Sequence, residues 1–515
     1  MAISRANKPL LLILATVFLL LRFVHLDADY PRNIRWDDGI ATDEGWYASA
    51  AVNEQTWGIG TLPGDMNIPI LMPVWSAIAE TAFRVGGFHV ICLRVTAILF
   101  FALCLVLSCL LLRRYGAGEW IPFFAAMLAV NPWSFAFSRS GFLEFPMLSL
   151  CLLAILLGHG SFSRGGRRIK GRGVAMLFAA GAIFAAAALL KTTAVVLTPV
   201  LAYTLLEASG FRLRPALRSM GIVFGFAAVI YGIYWQIYVR PQMTEINFYL
   251  SVVKNTLRFT PYGFIADSSR PFRYGAGSEH LLFPVSLLTV FLSFVVSKWR
   301  VLWRDPLFAL PAVWIISFMG FLIKHNNDPA RSFAIVIPAV LLLTVALLRN
   351  TMWSSERVRQ VLLGLIVLDL CGNAVQISAA ILHPAYSFRD ACLAVGSIVS
   401  KESGQNAAVV GDNAHEVALQ NGLRPVNLLF HSASITAQMD RRQPGWWLQF
   451  APIEDGRCFR EVLSHAYAAD YRGEWTIFYR GQRLVLWKLT KIPGATLPAE
   501  LTPEQTAACS PPVYN

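Results

Sequence analysis

Charge is scarce in this sequence: Asp, Glu, Lys and Arg together make up 15% of its 515 residues. A chain of this length built from soluble domains would carry about a quarter charged residues, so three soluble domains are excluded in favour of one embedded body. No CxxC pair and no Cys/His spacing of a zinc site occurs among the eight cysteines, which argues against structural zinc and a redox dithiol. Cys92, Cys104, Cys109, Cys151 and Cys371 lie inside apolar runs, where a thiol behaves as a small hydrophobe. Cys392, Cys458 and Cys509 fall in the polar tail, where an oxidising compartment would permit one disulfide. A DxD triplet, GxGxxG and Walker-type loops are read as absent, so no nucleotide-sugar site is expected. It also lacks an internal repeat and the inverted hydropathy symmetry of many transporters. No small-x-small cleavage site follows the first apolar run at His25-Leu26-Asp27-Ala28, so that run is read as a retained first span.

What is abundant is apolar: 56% of residues are hydrophobic and the mean hydropathy is +0.51. Runs long enough to cross about 30 Å of hydrocarbon fall near 9–26, 90–112, 119–137, 142–158, 173–190, 192–208, 217–239, 280–297, 306–323, 332–348 and 360–382. The expected fold is therefore an all-α polytopic membrane protein of about eleven helices, residues 1–384, followed by a small α/β domain over 385–515 with a loose end. The net charge of +13 sits in alternate connections, such as Arg113-Arg114 and the Arg164–Arg172 stretch, as the positive-inside rule requires. It does not form a basic stripe interleaved with aromatics, so nucleic acid is not an expected partner and membrane lipids are. With this count the amino terminus is cytoplasmic. The loop 27–89, the turn at Ser138–Gly141, the loop 240–279, the loop near Lys324–Arg331 and the whole tail face the other side. Within 27–89, Ile68–Val85 is apolar but carries Pro69 and Pro73, which predicts a helix at the membrane interface. In the tail, helices are expected at Arg389–Ser400 and His415–Asn421, and strands at Ala407–Val410, Trp475–Tyr479 and Leu484–Leu489.

Two constellations carry chemistry. The first loop places Asp37, Asp38, Asp43 and Glu44 within eight positions, where acids act as bases or hold a cation if their surroundings tune them; the plain alternative is a solvated acidic loop. The stretch from Asn131 to Pro146 puts Arg139 and Glu144 at the mouth of the third and fourth spans, where they would serve function or form a structural pair. Asp369 with Asn373, and His415 beside Glu416, are set aside as structural.

These residues resemble the polyprenyl-phosphate-sugar-dependent glycosyltransferases of the GT-C fold, in the branch with the protein O-mannosyltransferases and the lipid A aminoarabinose transferase. The resemblance rests on Asp43-Glu44-Gly45-Trp46-Tyr47, Ser138-Arg139 with Glu144-Phe145-Pro146, and Arg331-Ser332-Phe333 with Pro338. Arg94 and Lys191-Thr192-Thr193 add to it. It implies a multi-pass enzyme of the inner (plasma) membrane that moves a sugar, with inversion, from a polyprenyl-phosphate donor to a lipid, glycan or protein acceptor at the exported face. Asp43 matches the catalytic acidic position and would take the acceptor's proton, with Glu44 in support; Glu144 stands where much of the family has Asp. A lipid phosphate leaving group calls for cations. Arg331 matches the motif, while Lys324, His325, Arg258, Arg270 and Arg273 lie at headgroup depth and anchor lipid on the plainer reading; Arg139, Lys191 and Tyr47 would support the site. Asp43 and Glu144 would also be the ligands of Mg²⁺ or Mn²⁺ if the reaction needs one. Three rivals stand beside this reading: a ligase or polymerase with a diphosphate donor, a transporter or flippase, and a non-catalytic scaffold.

Overall fold

The computed structural model describes residues 7–31, 43–63, 67–162, 171–243, 246, 304–324, 330–350, 356–411, 413–427, 435–451, 457–477, 482–498, 502 and 504–505. The long apolar runs are helices: α1 (Asn7–Leu20), α5 (Val90–Arg114), α6 (Ile121–Val130) with α7 (Pro132–Ser138), α8 (Glu144–Gly160), α9 (Gly173–Leu190), α10 (Thr198–Ala208), α11 (Leu213–Tyr234), α12 (Pro306–Lys324), α13 (Ile337–Asn350) and α14 (Glu356–Leu382). Between α1 and α5 lie the short helices α2 (Asp43–Tyr47), α3 (Ser49–Trp57) and α4 (Pro73–Gly86). The run expected at 280–297 lies outside the described residues.

Among the described residues, four helical stretches, Val90–Arg114, Gly173–Leu190, Leu213–Gln242 and Gly364–Ser403, are long and apolar enough to cross a membrane, and a bent pair makes a fifth. Helix α5 shows why. Leu93, Ala97, Phe101, Cys104 and Leu111 are buried on one face, yet Leu99, Leu103, Val106 and Leu110 on the other are 38–59% exposed. A helix apolar on both its buried and its open face is suited to lipid.

The run 119–137, read from sequence as one span, bends by 66° between α6 and α7. Asn131 has extended backbone and its Oδ1 accepts the Ser134 N–H at 2.9 Å, while Pro132 opens α7 without an amide to donate. A side-chain cap and a proline at the first helical position start a new helix rather than continue the old one. The expected interface helix 68–85 is a 3₁₀ turn at Ile68–Leu71 followed by α4, whose Trp75, Ala79 and Phe83 form a buried stripe.

The tail folds as an α/β unit: α15 (Ser387–Ser403), β1 (Ala408–Gly411), α16 (Ala414–Asn421), β2 (Arg424–Asn427), α17 (Ile435–Arg442), β3 (Trp446–Ala451), α18 (Arg457–Glu461), β4 (Tyr467–Ile477) and β5 (Gln482–Lys491). The sheet order is β2-β1-β3-β5-β4, with β2, β1 and β3 parallel and β5 antiparallel to both β3 and β4. Alternation along the strands separates two cores. Val409, Trp446, Leu448, Leu484 and Leu486 meet α15 on one face; Val410, Trp447 and Leu489 meet Ile435 and Met439 of α17 on the other. Strands β2 and β3 were not foreseen.

This unit is tied to the bundle at several points. Asp29 accepts from the Ser387 hydroxyl at 2.8 Å and the Phe388 amide at 3.0 Å, capping α15, and Asp27 pairs with Arg389 at 3.2 Å. The expected absence of a DxD triplet is wrong, since Asp27-Ala28-Asp29 has that spacing, but both acids are engaged in this join. Trp57 Nε1 donates to the Pro425 carbonyl at 2.9 Å, and Arg424 Nε donates to that of Thr56 at 3.0 Å.

Cys458 is disulfide-bonded and buried Cys392 is free, while Cys509 lies outside the described residues. A denatured sample is expected to label at Cys392 with a maleimide at once, but at Cys458 only after reduction, as read by peptide mass spectrometry.

Candidate active site

Several of the bundle's helices carry ionisable residues at or near both ends. Arg94 opens α5 and Arg113 and Arg114 close it; Glu144 opens α8 and His159 closes it; Arg331 precedes α13 and Arg349 closes it. From Arg94 to Arg113 the rise is about 28 Å, close to the thickness of a hydrocarbon core. At one end Arg114 Nε donates to His159 Nδ1 at 2.8 Å, His159 pairs with Glu207 at 3.0 Å, and Arg349 donates to the Tyr115 carbonyl at 2.9 Å. The candidate site is at the opposite end.

There, segments far apart in sequence bring three carboxylates onto three cations. Asp43 is the first residue of α2, and its Oδ2 pairs with Arg331 Nη1. Arg331 sits in the 3₁₀ turn Ala330–Ile335, and its Nε also faces Glu144 Oε1 at 3.5 Å. Glu144 Oε1 receives Lys191 Nζ as well, from the extended residue between α9 and the 3₁₀ turn Thr192–Leu197. Asp43, Glu44, Glu144 and Arg331 are all at most 9% exposed. Charges this far from water are stable only when paired.

Tyr47 lies under both cations, with Arg331 Cζ and Lys191 Nζ each 5.7 Å from its ring centre; Arg331 also lies 5.2 Å from the Phe142 ring. The rings hold the two cations laterally, while the acids fix their charged ends.

Glu44 points the other way and ties the first loop to the bundle. Its carboxylate takes Arg94 Nε at 3.0 Å and Nη2 at 2.6 Å, and its Oε1 accepts the Gly141 amide at 2.5 Å. Arg94 Nη1 meanwhile donates to the Leu26 and Ala28 carbonyls at 2.6 and 2.7 Å. One guanidinium thus joins the stretch that follows α1, the helix α2 and α5.

The Arg139–Glu144 pair weighed from sequence is not made. Arg139 Nη2 donates to the Val24 and His25 carbonyls at 2.5 and 2.8 Å, and its guanidinium lies 5.0 Å from the Phe135 ring. Spacing alone pointed to the pair, but the turn before α8 directs Glu144 inward and Arg139 toward the residues that follow α1. Of Lys324 only its place as the last residue of α12 is described. His325, Arg258, Arg270, Arg273, Asp37 and Asp38 lie outside the described residues. Two further buried charges belong here: Arg22, which the sequence reading passed over, and Glu416, which it set aside as structural. Arg22 is fully buried, donates to Ser138 Oγ at 2.9 Å and lies 4.1 Å from the Phe101 ring. Glu416 of α16 accepts the Gly45 amide at 2.5 Å, beside the acids of α2. Nothing local in sequence signals either contact.

As ligands for a divalent metal, Asp43 and Glu144 are poorly suited in this arrangement, since the oxygens that converge are already met by Arg331 and Lys191. No group of three or more metal-ligating side chains occurs among the described residues.

No protein-family model and no curated protein matches the sequence. Solved structures do match in fold. One is ArnT from Cupriavidus metallidurans bound to undecaprenyl phosphate, 12% identical, with 93% of this chain and 98% of that one aligned at a TM-score of 0.56. The same protein in its apo state aligns over 94% and 98% at 0.57. The Archaeoglobus fulgidus oligosaccharyltransferase in complex with Zn and sulfate, also 12% identical, aligns over 94% of this chain and 72% of that one at 0.50. The chain therefore has the GT-C fold, with the small α/β unit following the helices.

Proposed function

We propose that this protein is a membrane glycosyltransferase that moves a sugar from a polyprenyl-phosphate donor to an acceptor at the exported face, with inversion at the anomeric carbon. The observation that carries the reading is Arg331, a buried guanidinium shared by Asp43 and Glu144 at the end of the bundle away from the basic helix termini. By the positive-inside rule the end that carries Arg113, Arg114 and Arg349 is read as cytoplasmic, so on this reading the Asp43 end faces outward, together with the disulfide-bearing tail.

The chemistry follows from the charges. The acceptor's nucleophilic group attacks the anomeric carbon from the face opposite the phosphate. The bond to the phosphate oxygen breaks, its electrons stay with the lipid phosphate, and the acceptor's proton goes to Asp43. Arg331 is the group that answers the leaving charge, because its planar fork suits a phosphate. When the donor phosphate draws Arg331 toward itself, Asp43 gives up its cation and becomes the available base. Lys191 then keeps Glu144 compensated, so no buried carboxylate is left bare.

Protein cations thus supply the charge that a metal would otherwise provide, and the reaction is read as metal-independent. Membranes carrying the chain are to be offered a panel of radiolabelled polyprenyl-monophosphate sugars with an acceptor extract. Transfer from one of them, changed less than about twofold by a chelator, is the expected result; a metal-assisted step would normally supply several kcal/mol. Transfer only from diphosphate-linked glycans overturns the donor. Loss on chelation that Mg²⁺ or Mn²⁺ restores overturns metal independence.

A further inference from the structure

We propose that the α/β unit forms part of the active site, with Glu416 as a positioning residue that holds the Asp43-bearing helix in register through the Gly45 amide. The proposal rests on the glycosyltransferase reading for its kinetic consequence, but not for its structural one.

Helix α2 has only five residues, too few to hold its own shape, and Asp43 stands at its first position. The brace comes from 371 residues further along the chain. Glu416 Oε2 accepts the Gly45 amide, a donor that the first turn of a helix cannot satisfy internally. The backbones also touch. A Cβ placed on Gly45 would lie 2.6 Å from Glu416 Cα and 2.7 Å from the His415 carbonyl carbon. Only glycine permits this approach. The preceding residue of α16 adds a second tie, since His415 Nε2 and Asn53 Oδ1 of α3 are 2.9 Å apart. Ala418 and Leu419 of the same helix pack into the core of the bundle, so α16 is seated there rather than resting on it.

The electrostatics suit a holder rather than a base. Glu416 is 1% exposed, and the groups around it are Asp43 and Glu44 on α2, Arg94 on α5, Asp29 and Arg139 at the mouth, and His415 on its own helix. Burial, and after it the Glu44 carboxylate, push the Glu416 carboxyl well above the usual carboxylate range. A protonated carboxyl still accepts the Gly45 N–H through its carbonyl oxygen, as an amide would. Glutamine is therefore the conservative replacement, and leucine removes the acceptor.

The test compares Glu416→Gln and Glu416→Leu in the full-length chain, with hydrogen exchange over 43–57 beside the kinetics. Glu416→Gln is expected to stay within about threefold of the native rate. Glu416→Leu is expected to lose about 10²-fold in kcat with little change in donor KM, the effect of moving a reacting group by about 1 Å. Exchange over 43–57 should quicken in the leucine variant alone. The sign of the pH effect follows from the raised carboxyl. The folded chain keeps a proton that the unfolded chain has lost above about pH 4.3, so stability falls as pH rises through the window up to the folded-state value, and glutamine removes that slope. A leucine variant with native exchange and native kcat overturns the proposal, as does a glutamine variant that fails as badly as leucine. Faster exchange in the leucine variant of a chain that transfers no sugar keeps the brace and removes the glycosyltransferase reading instead.

Discussion

Asp43→Asn is expected to lower sugar transfer by about 10²–10⁴-fold, mainly in kcat, the range that a positioned general base contributes. Asparagine keeps the shape and one oxygen for Arg331, but it takes no proton. The step that fails is deprotonation of the acceptor, so donor affinity should change little. Because the exchange also leaves Arg331 short of a carboxylate, a thermal melt belongs beside the rate, and a folded but inactive variant is the expected pair of results. Asp43→Glu provides the complement: it keeps the base but displaces it by a methylene, and should retain part of the rate. A folded Asp43→Asn chain within about tenfold of native would assign the proton to another group.

Arg331→Ala should be the most damaging single change. Arg331 meets both Asp43 and Glu144, and it alone among the described cations does so. Its removal leaves Asp43 without this partner, and breaking one side of a buried pair costs about 3–5 kcal/mol. It also removes the guanidinium proposed to answer the leaving phosphate, for which about 10²–10³-fold in kcat is expected on top. Arg331→Lys separates the two roles. A lysine retains the charge but not the fork, so it should recover most of the stability while remaining well below the native rate. An alanine variant with raised donor KM but native kcat would mean that Arg331 binds the donor equally in the ground and transition states.

The parts of this architecture that could be read from sequence are those encoded locally. The apolar runs predicted the helices, and Asp43, Glu144 and Arg331, picked out by resemblance, converge at one place. What escaped depends on neighbours. Strand β2 reads Arg424-Pro-Val-Asn, with a proline that fits a turn as well as a strand, and its edge position in the sheet is what tolerates it. Strand β3, Trp446-Trp-Leu-Gln-Phe-Ala, is buried on both faces between β1 and β5, so it lacks the alternation that marks a half-buried strand. At 119–137 the Asn131-Pro132 signal was present, but continuous hydrophobicity outweighed it. Lys191 and Glu144 are 47 residues apart, and Glu416 lies still further from its partner; neither spacing has a period that sequence could reveal.

The join between Gly45 and Glu416 also has a consequence in time. At about 5–20 residues per second, the ribosome needs roughly 20–70 s to travel from one to the other. Throughout that interval, on the proposed topology, the first loop is already exported while its acidic helix is not yet held by Glu416. On the proposed function, a nascent or prematurely ended chain would therefore have Asp43 but no competent site, and lipid-linked sugar would be spared until the last fifth of the polypeptide has docked.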